Sequence, residues 1–353
     1  MPAWLLDLNP TAINLFGLPI RWYGLSYAVG FFLGWMFLRH LAKRGLARIP
    51  VERTADAAIA IALGAVVGGR LGYVLIYQPS LLWEVSAGVP WWGVLRINNG
   101  GMASHGGMIG AIVACWIVSR AYGEEKEGRP STPIPFLHML DLLCAIAPIG
   151  LLLGRIANFV NGELLGRIVT QPADGRAAPW WAVKYPQELL ERNDEVVRTP
   201  AQELALDRLV EAHTMPGDPT QLAYDQMIRR VQRGDESLAE QLAPLISARH
   251  PSQLYQAFVE GVVLFVVLWV IWRKPRKPGV VGCWFLIVYG VGRIATEFWR
   301  LPDAHLAHER IMGMSRGQWL SAAMVGFGLV LLPILARRDS EKLGGWVSRK
   351  VVP

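Results

Sequence analysis

Seven stretches of this chain are apolar for about the length that crosses a bilayer, and that repeat confines the fold to a bundle of membrane-spanning helices. They run roughly from Leu18 to Leu38, Ala55 to Tyr77, Met102 to Arg120, Leu137 to Phe159, Leu254 to Trp272, Val280 to Trp299 and Gln318 to Ala336. A hydrocarbon interior offers backbone amides no water, so each run must satisfy its own N–H and C=O groups as a helix. The composition agrees, with 52% of 353 residues hydrophobic. The expected fold class is an all-α polytopic membrane protein of about seven transmembrane helices, with a small extracytoplasmic domain between spans four and five. Residues 1–160 then carry spans one to four, 161–251 the head domain, and 252–353 spans five to seven with a cytoplasmic tail.

The formal charge of +7 does not point to nucleic acid, because the basic residues cluster in short segments beside the apolar runs. Arg39, Lys43, Arg44, Arg48 and Arg53 follow span one, Arg273, Lys274, Arg276 and Lys277 follow span five, and Arg337, Arg338, Lys342, Arg349 and Lys350 follow span seven. The positive-inside rule puts all three in the cytoplasm, which an amino terminus outside and an odd number of spans satisfies. Met1 to Leu15 shows no basic segment followed by an apolar core and a small-residue cleavage site, so the first span is expected to direct insertion. Cys115, Cys144 and Cys283 lie singly in apolar runs and are read as structural thiols. The polar stretch from Asn161 to Pro251 has helical composition at Pro186 to Asp194 and Glu203 to His213, and is expected to fold outside the cytoplasm.

Alternating span direction converts sequence position into depth. Arg21 and Tyr23 then fall at the outer end of span one, Arg70, Tyr73 and Tyr77 toward the outer half of span two, and His105 at the outer start of span three. Arg155 and Asn158 share a face at the outer end of span four, and Tyr289, Arg293 and Glu297 form a stripe at the outer end of span six. Charge at membrane depth is costly and marks function unless it is paired. The bland alternatives are belt tyrosines, a snorkelling Arg21, a structural Arg293–Glu297 ion pair and a satisfied histidine. Asp141, at the other end of span four, reads as a helix-start or packing carboxylate.

Gly154 to Gly166 reads Gly-Arg-Ile-Ala-Asn-Phe-Val-Asn-Gly-Glu-Leu-Leu-Gly. It resembles the signature G-R-x-[GA]-N-F-x-N-x-E-x-x-G of the prolipoprotein diacylglyceryl transferase family. The blocks Arg21 to Leu25, Gly68 to Tyr73, Gly101 to Gly107, Arg249 to Tyr255 and Tyr289 to Arg300 resemble further blocks of that family, in family order. Departures are Gln256, where the family usually has glutamate, and Ser104, where a bulkier residue is often found. The head region is longer than is usual in the family.

The resemblance implies transfer of the diacylglyceryl group of phosphatidylglycerol to the lipobox cysteine thiol of a prolipoprotein, with release of glycerol phosphate. Such a reaction needs a base for the thiol and fixed positive charge where phosphate charge develops. Arginine serves the second need, being always charged and able to grip phosphate oxygens in pairs. The expected catalytic residues are His105, Arg155, Arg293, Glu163 and Tyr23, with His105 the leading base and Glu163 the runner-up. Phosphatidylglycerol is expected on Arg155, Arg293, Asn158, Tyr289, Glu297 and Gly166. No metal-ligand spacing is present, so no metal or cofactor is expected. The partners are the lipid and the signal peptide, both reached through the bacterial inner membrane. A transporter would instead place polar groups at the midplane with an inverted repeat, and another headgroup enzyme would not require the cysteine.

Overall fold

The computed structural model describes residues 3–15, 18–97, 100–122, 124–126, 129–214, 219–301 and 312–346, so Arg349 and Lys350 lie outside the described residues. Its helices are α1 (Trp22–Lys43), α2 (Thr54–Ile76), α3 (Ser104–Ala121), α4 (Phe136–Asn161), α5 (Glu188–Glu191), α6 (Pro200–Ala212), α7 (Thr220–Val231), α8 (Glu236–Leu242), α9 (Ser252–Gln256), α10 (Leu264–Trp272), α11 (Val280–Thr296) and α12 (Arg316–Arg337). A π-helical stretch, Ala257–Val263, joins α9 to α10 as one continuous segment. The strands are β1 (Trp4–Leu5), β2 (Thr11–Leu15), β3 (Leu18–Arg21), β4 (Glu124–Lys126), β5 (Arg129–Thr132), β6 (Ile168–Thr170), β7 (Val183–Lys184) and β8 (Ala248–Arg249).

Helices occupy all seven apolar runs. Five segments, Trp22–Lys43, Val51–Ile76, Phe136–Asn161, Ser252–Trp272 and Arg316–Arg337, are long and apolar enough to cross a membrane, and α3 and α11 fill the other two runs with 18 and 17 residues. Leu63, Leu75, Val270, Phe327 and Val330 lie exposed on these helices, a surface that acyl chains would cover. The first run starts later than its composition suggests. Leu18–Arg21 is a strand paired antiparallel with β2, since Pro19 has no N–H to give a helix interior, and α1 begins at Trp22.

Two compact units divide the chain. The first comprises Met1–Val29, Pro148–Phe265 and Ile287–Gly326. Its four-stranded sheet has the order β1-β7-β8-β6, with β1 parallel to β7 and the other pairs antiparallel. Beside it Leu189, Leu206, Met227, Val231, Leu238, Leu242, Leu245 and Ile246 form a core that closes α6, α7 and α8 over the sheet. Helix α6 starts at a capping box, in which Thr199 and Gln202 answer each other's backbone N–H, with Pro200 at the first position. The long polar stretch is thus folded, as its helical composition suggests. Buried charge fixes its base: Arg249 pairs with Glu188 at 2.8 Å, and both are fully buried.

The second unit comprises Gly30–Ala147, Val266–Leu286 and Phe327–Pro353. Here α2 and α3 meet through glycines, and a Cβ on Gly72 would stand 2.9 Å from the Gly106 Cα. Small residues allow the backbones this approach, the packing expected where lipid replaces water. Asp141 accepts the N–H groups of Gly279 and Gly282 at 2.8 and 2.7 Å. It therefore caps the start of α11 rather than that of its own helix.

Candidate functional site

Within the first unit, α4, α11 and the α9–α10 segment bring their charged residues together. Arg155 of α4 donates from Nε and Nη2 to Glu260 Oε2, at 3.1 and 2.9 Å. Glu260 is fully buried in the π-helical stretch, whose wider turn breaks the usual helical register, as at many functional sites. Its other oxygen faces Arg293 Nε at 4.0 Å. Arg293 Nη1 approaches Glu297 Oε2 to 2.8 Å, one helical turn along, yet neither atom has hydrogen-bond geometry to a partner among the described residues. Glu297 also meets Arg300 at 3.6 Å and accepts the Ser315 hydroxyl at 3.1 Å. Tyr289, one turn before Arg293, takes a hydrogen bond from the Arg155 side chain.

A second network continues from α4. The Tyr23 hydroxyl donates to Glu163 Oε2 at 2.7 Å, Asn158 donates to the same oxygen at 3.3 Å and to the Tyr23 hydroxyl, and Asn161 donates to Glu163 Oε1 at 3.3 Å. Helix α4 ends at Asn161 because Gly162 adopts a φ of +68°, a left-handed turn that suits glycine. Leu164 follows with a φ of +57°, a costly conformation for a branched side chain beside the Glu163 carboxylate. Arg155 and Asn158, three residues apart on α4, connect the two networks along one helix face.

The sequence expectation for Arg155, Asn158, Glu163, Tyr23, Tyr289, Arg293 and Glu297 is thus a set of residues in one unit. Gly166 belongs to this unit as well. It packs against the His250 backbone, where a Cβ would fall 2.9 Å from the carbonyl carbon, and its own carbonyl accepts from Arg249 at 3.3 Å. His105 belongs to the second unit, exposed in the first turn of α3. Gly106, the next residue, is the close contact with α2. Arg70 is also in the second unit. It is buried and donates to the carbonyls of Val94, Gly93, Gly100 and Gly101 at 2.7, 2.7, 2.8 and 2.9 Å, holding the loop before α3. Tyr77 and Arg21 are exposed.

Glu260 was not among the expected site residues, although a carboxylate inside the apolar run from Leu254 to Trp272 is itself the signal that an intramembrane charge gives. Outside the spans, His250 stacks on Trp181 at 5.1 Å, and burial followed by the Arg167 guanidinium pushes its imidazole below the usual value. Among the described residues no group of three or more His, Cys, Asp or Glu side chains is placed to hold a metal ion.

These features define a polytopic helical membrane protein with buried arginine–glutamate pairs gathered where its helices meet a folded head. The family model for prolipoprotein diacylglyceryl transferase matches residues 10–334. The chain belongs to that family. It is 40% identical to a phosphatidylglycerol–prolipoprotein diacylglyceryl transferase of Bdellovibrio bacteriovorus, with 96% of each chain covered. It is 34% identical to the protein of that name from Neisseria gonorrhoeae, covering 92% of this chain and 94% of the relative. A third of that name, from Bradyrhizobium diazoefficiens, is 33% identical over 97% of this chain and 98% of its own.

Proposed function

We propose that this transferase moves the diacylglyceryl group of phosphatidylglycerol onto the lipobox cysteine thiol of a prolipoprotein, the first step of bacterial lipoprotein maturation. The observation that carries the reading is the pair of partly buried guanidiniums, Arg155 and Arg293, converging on the fully buried Glu260. In the reaction the thiol loses its proton to a base, and sulfur attacks the glycerol carbon. The C–O bond breaks with its electron pair going to the phosphate oxygen, so a thioether forms and glycerol phosphate leaves. The phosphodiester becomes a monoester and gains charge, which fixed guanidiniums stabilise without reorganising.

Arg155 and Arg293 hold the phosphate in this reading, Glu260 and Glu297 aim them, and Tyr289 and Asn158 add contacts to the headgroup. Gly166 lets the head backbone approach. The base is His105 or Glu163. Glu163 shares a unit with both arginines and holds the Tyr23 hydroxyl, while His105 carries a ring exposed on its own unit.

The same reading places the protein in the bacterial inner membrane as seven spans, with the amino terminus and the 161–251 head outside and the carboxyl terminus in the cytoplasm. A reporter fused near residue 210 should be active only outside the cytoplasm; a cytoplasmic signal there would overturn the orientation. For the chemistry, purified protein in vesicles with labelled phosphatidylglycerol should release glycerol phosphate only with a cysteine-containing lipobox peptide. Release without the peptide would make it a hydrolase instead.

A further inference from the structure

Gln187 is a buried amide in a segment tied down on both sides. Before it, Tyr185 is fully buried and donates to Gln253 Oε1 at 3.1 Å, and Gln253 in turn donates to the Glu163 carbonyl. After it, Glu188 takes the Ser247 N–H at 2.7 Å and the Arg249 guanidinium at 2.8 Å. Between these anchors the Gln187 side chain lies on Gly162, where a Cβ would stand 2.5 Å from Nε2. Gly162 therefore serves its turn and the seating of this amide together. Yet among the described residues neither Oε1 nor Nε2 of Gln187 has a hydrogen-bond partner, and the residue is only 9% exposed. Asn161 Oδ1, on the residue before Gly162, is buried and unpartnered in the same way. Polar groups held out of water are nearly always bonded, so a rigidly placed amide of this kind calls for a partner from outside the chain.

We infer that Gln187, with Asn161 Oδ1 near it, binds the free hydroxyls of the glycerol headgroup and so selects the lipid. This rests on the proposed transferase reading. Glu163, next to Gly162, shares its carboxylate with Tyr23 and Asn158, and Asn158 lies one turn from Arg155. With the phosphate on Arg155 and Arg293, the leaving glycerol extends from the phosphate toward this network. Two vicinal hydroxyls donate and accept at once. Gln187 offers one donor group and one acceptor, and Asn161 a further acceptor. An ammonium headgroup has donors alone and would leave the Gln187 N–H groups unanswered.

The test uses the full-length protein in vesicles with a lipobox peptide, comparing phosphatidylglycerol with phosphatidylpropanol, which keeps the phosphodiester and lacks the hydroxyls. Gln187→Leu keeps an apolar body on Gly162 and removes the amide. KM for phosphatidylglycerol should rise about tenfold with kcat little changed, since one or two net hydrogen bonds are lost. Inhibition by phosphatidylpropanol and KM for the peptide should stay as in the parent. An equal shift for both lipids, no shift, or a shift in peptide KM alone overturns the assignment. Should Gln187→Leu fail to accumulate, Gln187→Ser must show the same headgroup-selective shift, and its absence counts equally against the idea. A parent protein that transfers nothing from phosphatidylglycerol sinks the transferase reading itself, a result distinct from an active parent with unaltered selectivity.

Discussion

Glu260 receives two N–H groups of Arg155 on a single carboxylate oxygen, at 3.1 and 2.9 Å, and keeps its other oxygen toward Arg293. One acid thereby sets the spacing of two guanidiniums on different helices. Together with Arg300 and Glu297 the cluster holds three formal positive charges against two negative, in surroundings where none of the five side chains is freely solvated. The excess charge suits one phosphodiester.

Removing the shared acid should therefore damage more than one interaction. Glu260→Gln leaves the partly buried Arg155 guanidinium without its counter-charge and Arg293 with Glu297 and no second acid, and breaking one side of such a pair costs about 3–5 kcal/mol. The variant should unfold at markedly lower temperature in detergent and lose transfer activity with it. Stability equal to the parent would show that Glu260 does not hold the cluster.

Arg155→Lys and Arg293→Lys keep the charge but give up the forked grip on phosphate oxygens. Each should lower the rate by about a hundredfold or more, on the order of 3 kcal/mol, while the protein still inserts. Arg→Ala at either position should be inactive. Measured turnover with normal membrane abundance decides it, and near-parental rates for a lysine variant would leave that arginine a structural role.

Arg70 tests the difference between a polar residue that serves the site and one that serves the fold. Its guanidinium ties four backbone carbonyls of the segment between α2 and α3. A lysine ammonium cannot span them, so Arg70→Lys should cost about 3 kcal/mol of stability. Activity per folded molecule should stay close to the parent. A full-stability variant with lost turnover would restore Arg70 to the chemistry.

Helices fill the apolar runs, five of them long and apolar enough to cross a membrane, because an intramembrane helix must be written as an unbroken apolar length. Depth in the span was enough to bring Tyr289, Arg293 and Glu297 to one stripe and Arg155 and Asn158 to one face. It could not say what they touch. Glu260 stands out as an acid in an apolar run, but its partner on α4, 105 residues away in sequence, leaves no local signature. Asp141 reads in the sequence as a helix-start or packing carboxylate, and it caps the start of α11 rather than of its own helix, since capping across helices depends on packing. The partners of Arg70 were illegible for the same reason: spacing gives the face of a helix, while the loop it holds is known only once folded. Gln187 carried no mark at all in a polar stretch, where an amide is ordinary until burial removes its water.

His250 gives a pH dependence with a definite sign. Burial, then Arg167, lowers its imidazole below the ordinary value, so the folded protein favours the neutral ring. The unfolded chain takes up the proton first as pH falls through about 6.5. Stability from this group is complete above that point and declines below it, until the folded value is passed. His250→Phe retains an aromatic ring against Trp181 and removes the titration. The fall in melting temperature between about pH 7 and pH 5 should be smaller in the variant; identical slopes would exclude His250 as a source.

The identity of the base separates Glu163 from His105. Glu163 accepts from Tyr23 at 2.7 Å and from Asn158 and Asn161 at 3.3 Å each, so its carboxylate is already oriented in the unit that holds both arginines. As base it would make Tyr23 a positioning donor. Tyr23→Phe should then lower kcat by about tenfold or more and leave KM for the lipid nearly unchanged, because the loss falls on proton transfer. With His105 as base, His105→Gln would abolish transfer while Glu163→Gln would leave kcat near the parent. With Glu163 as base, Glu163→Gln abolishes transfer while His105→Gln leaves kcat near the parent. Glu163→Gln retains an acceptor oxygen for Tyr23, so loss of activity in a folded, membrane-inserted Glu163→Gln variant is loss of the proton acceptor. A Glu163→Gln variant with a normal rate would remove Glu163 from the chemistry and assign the proton to His105.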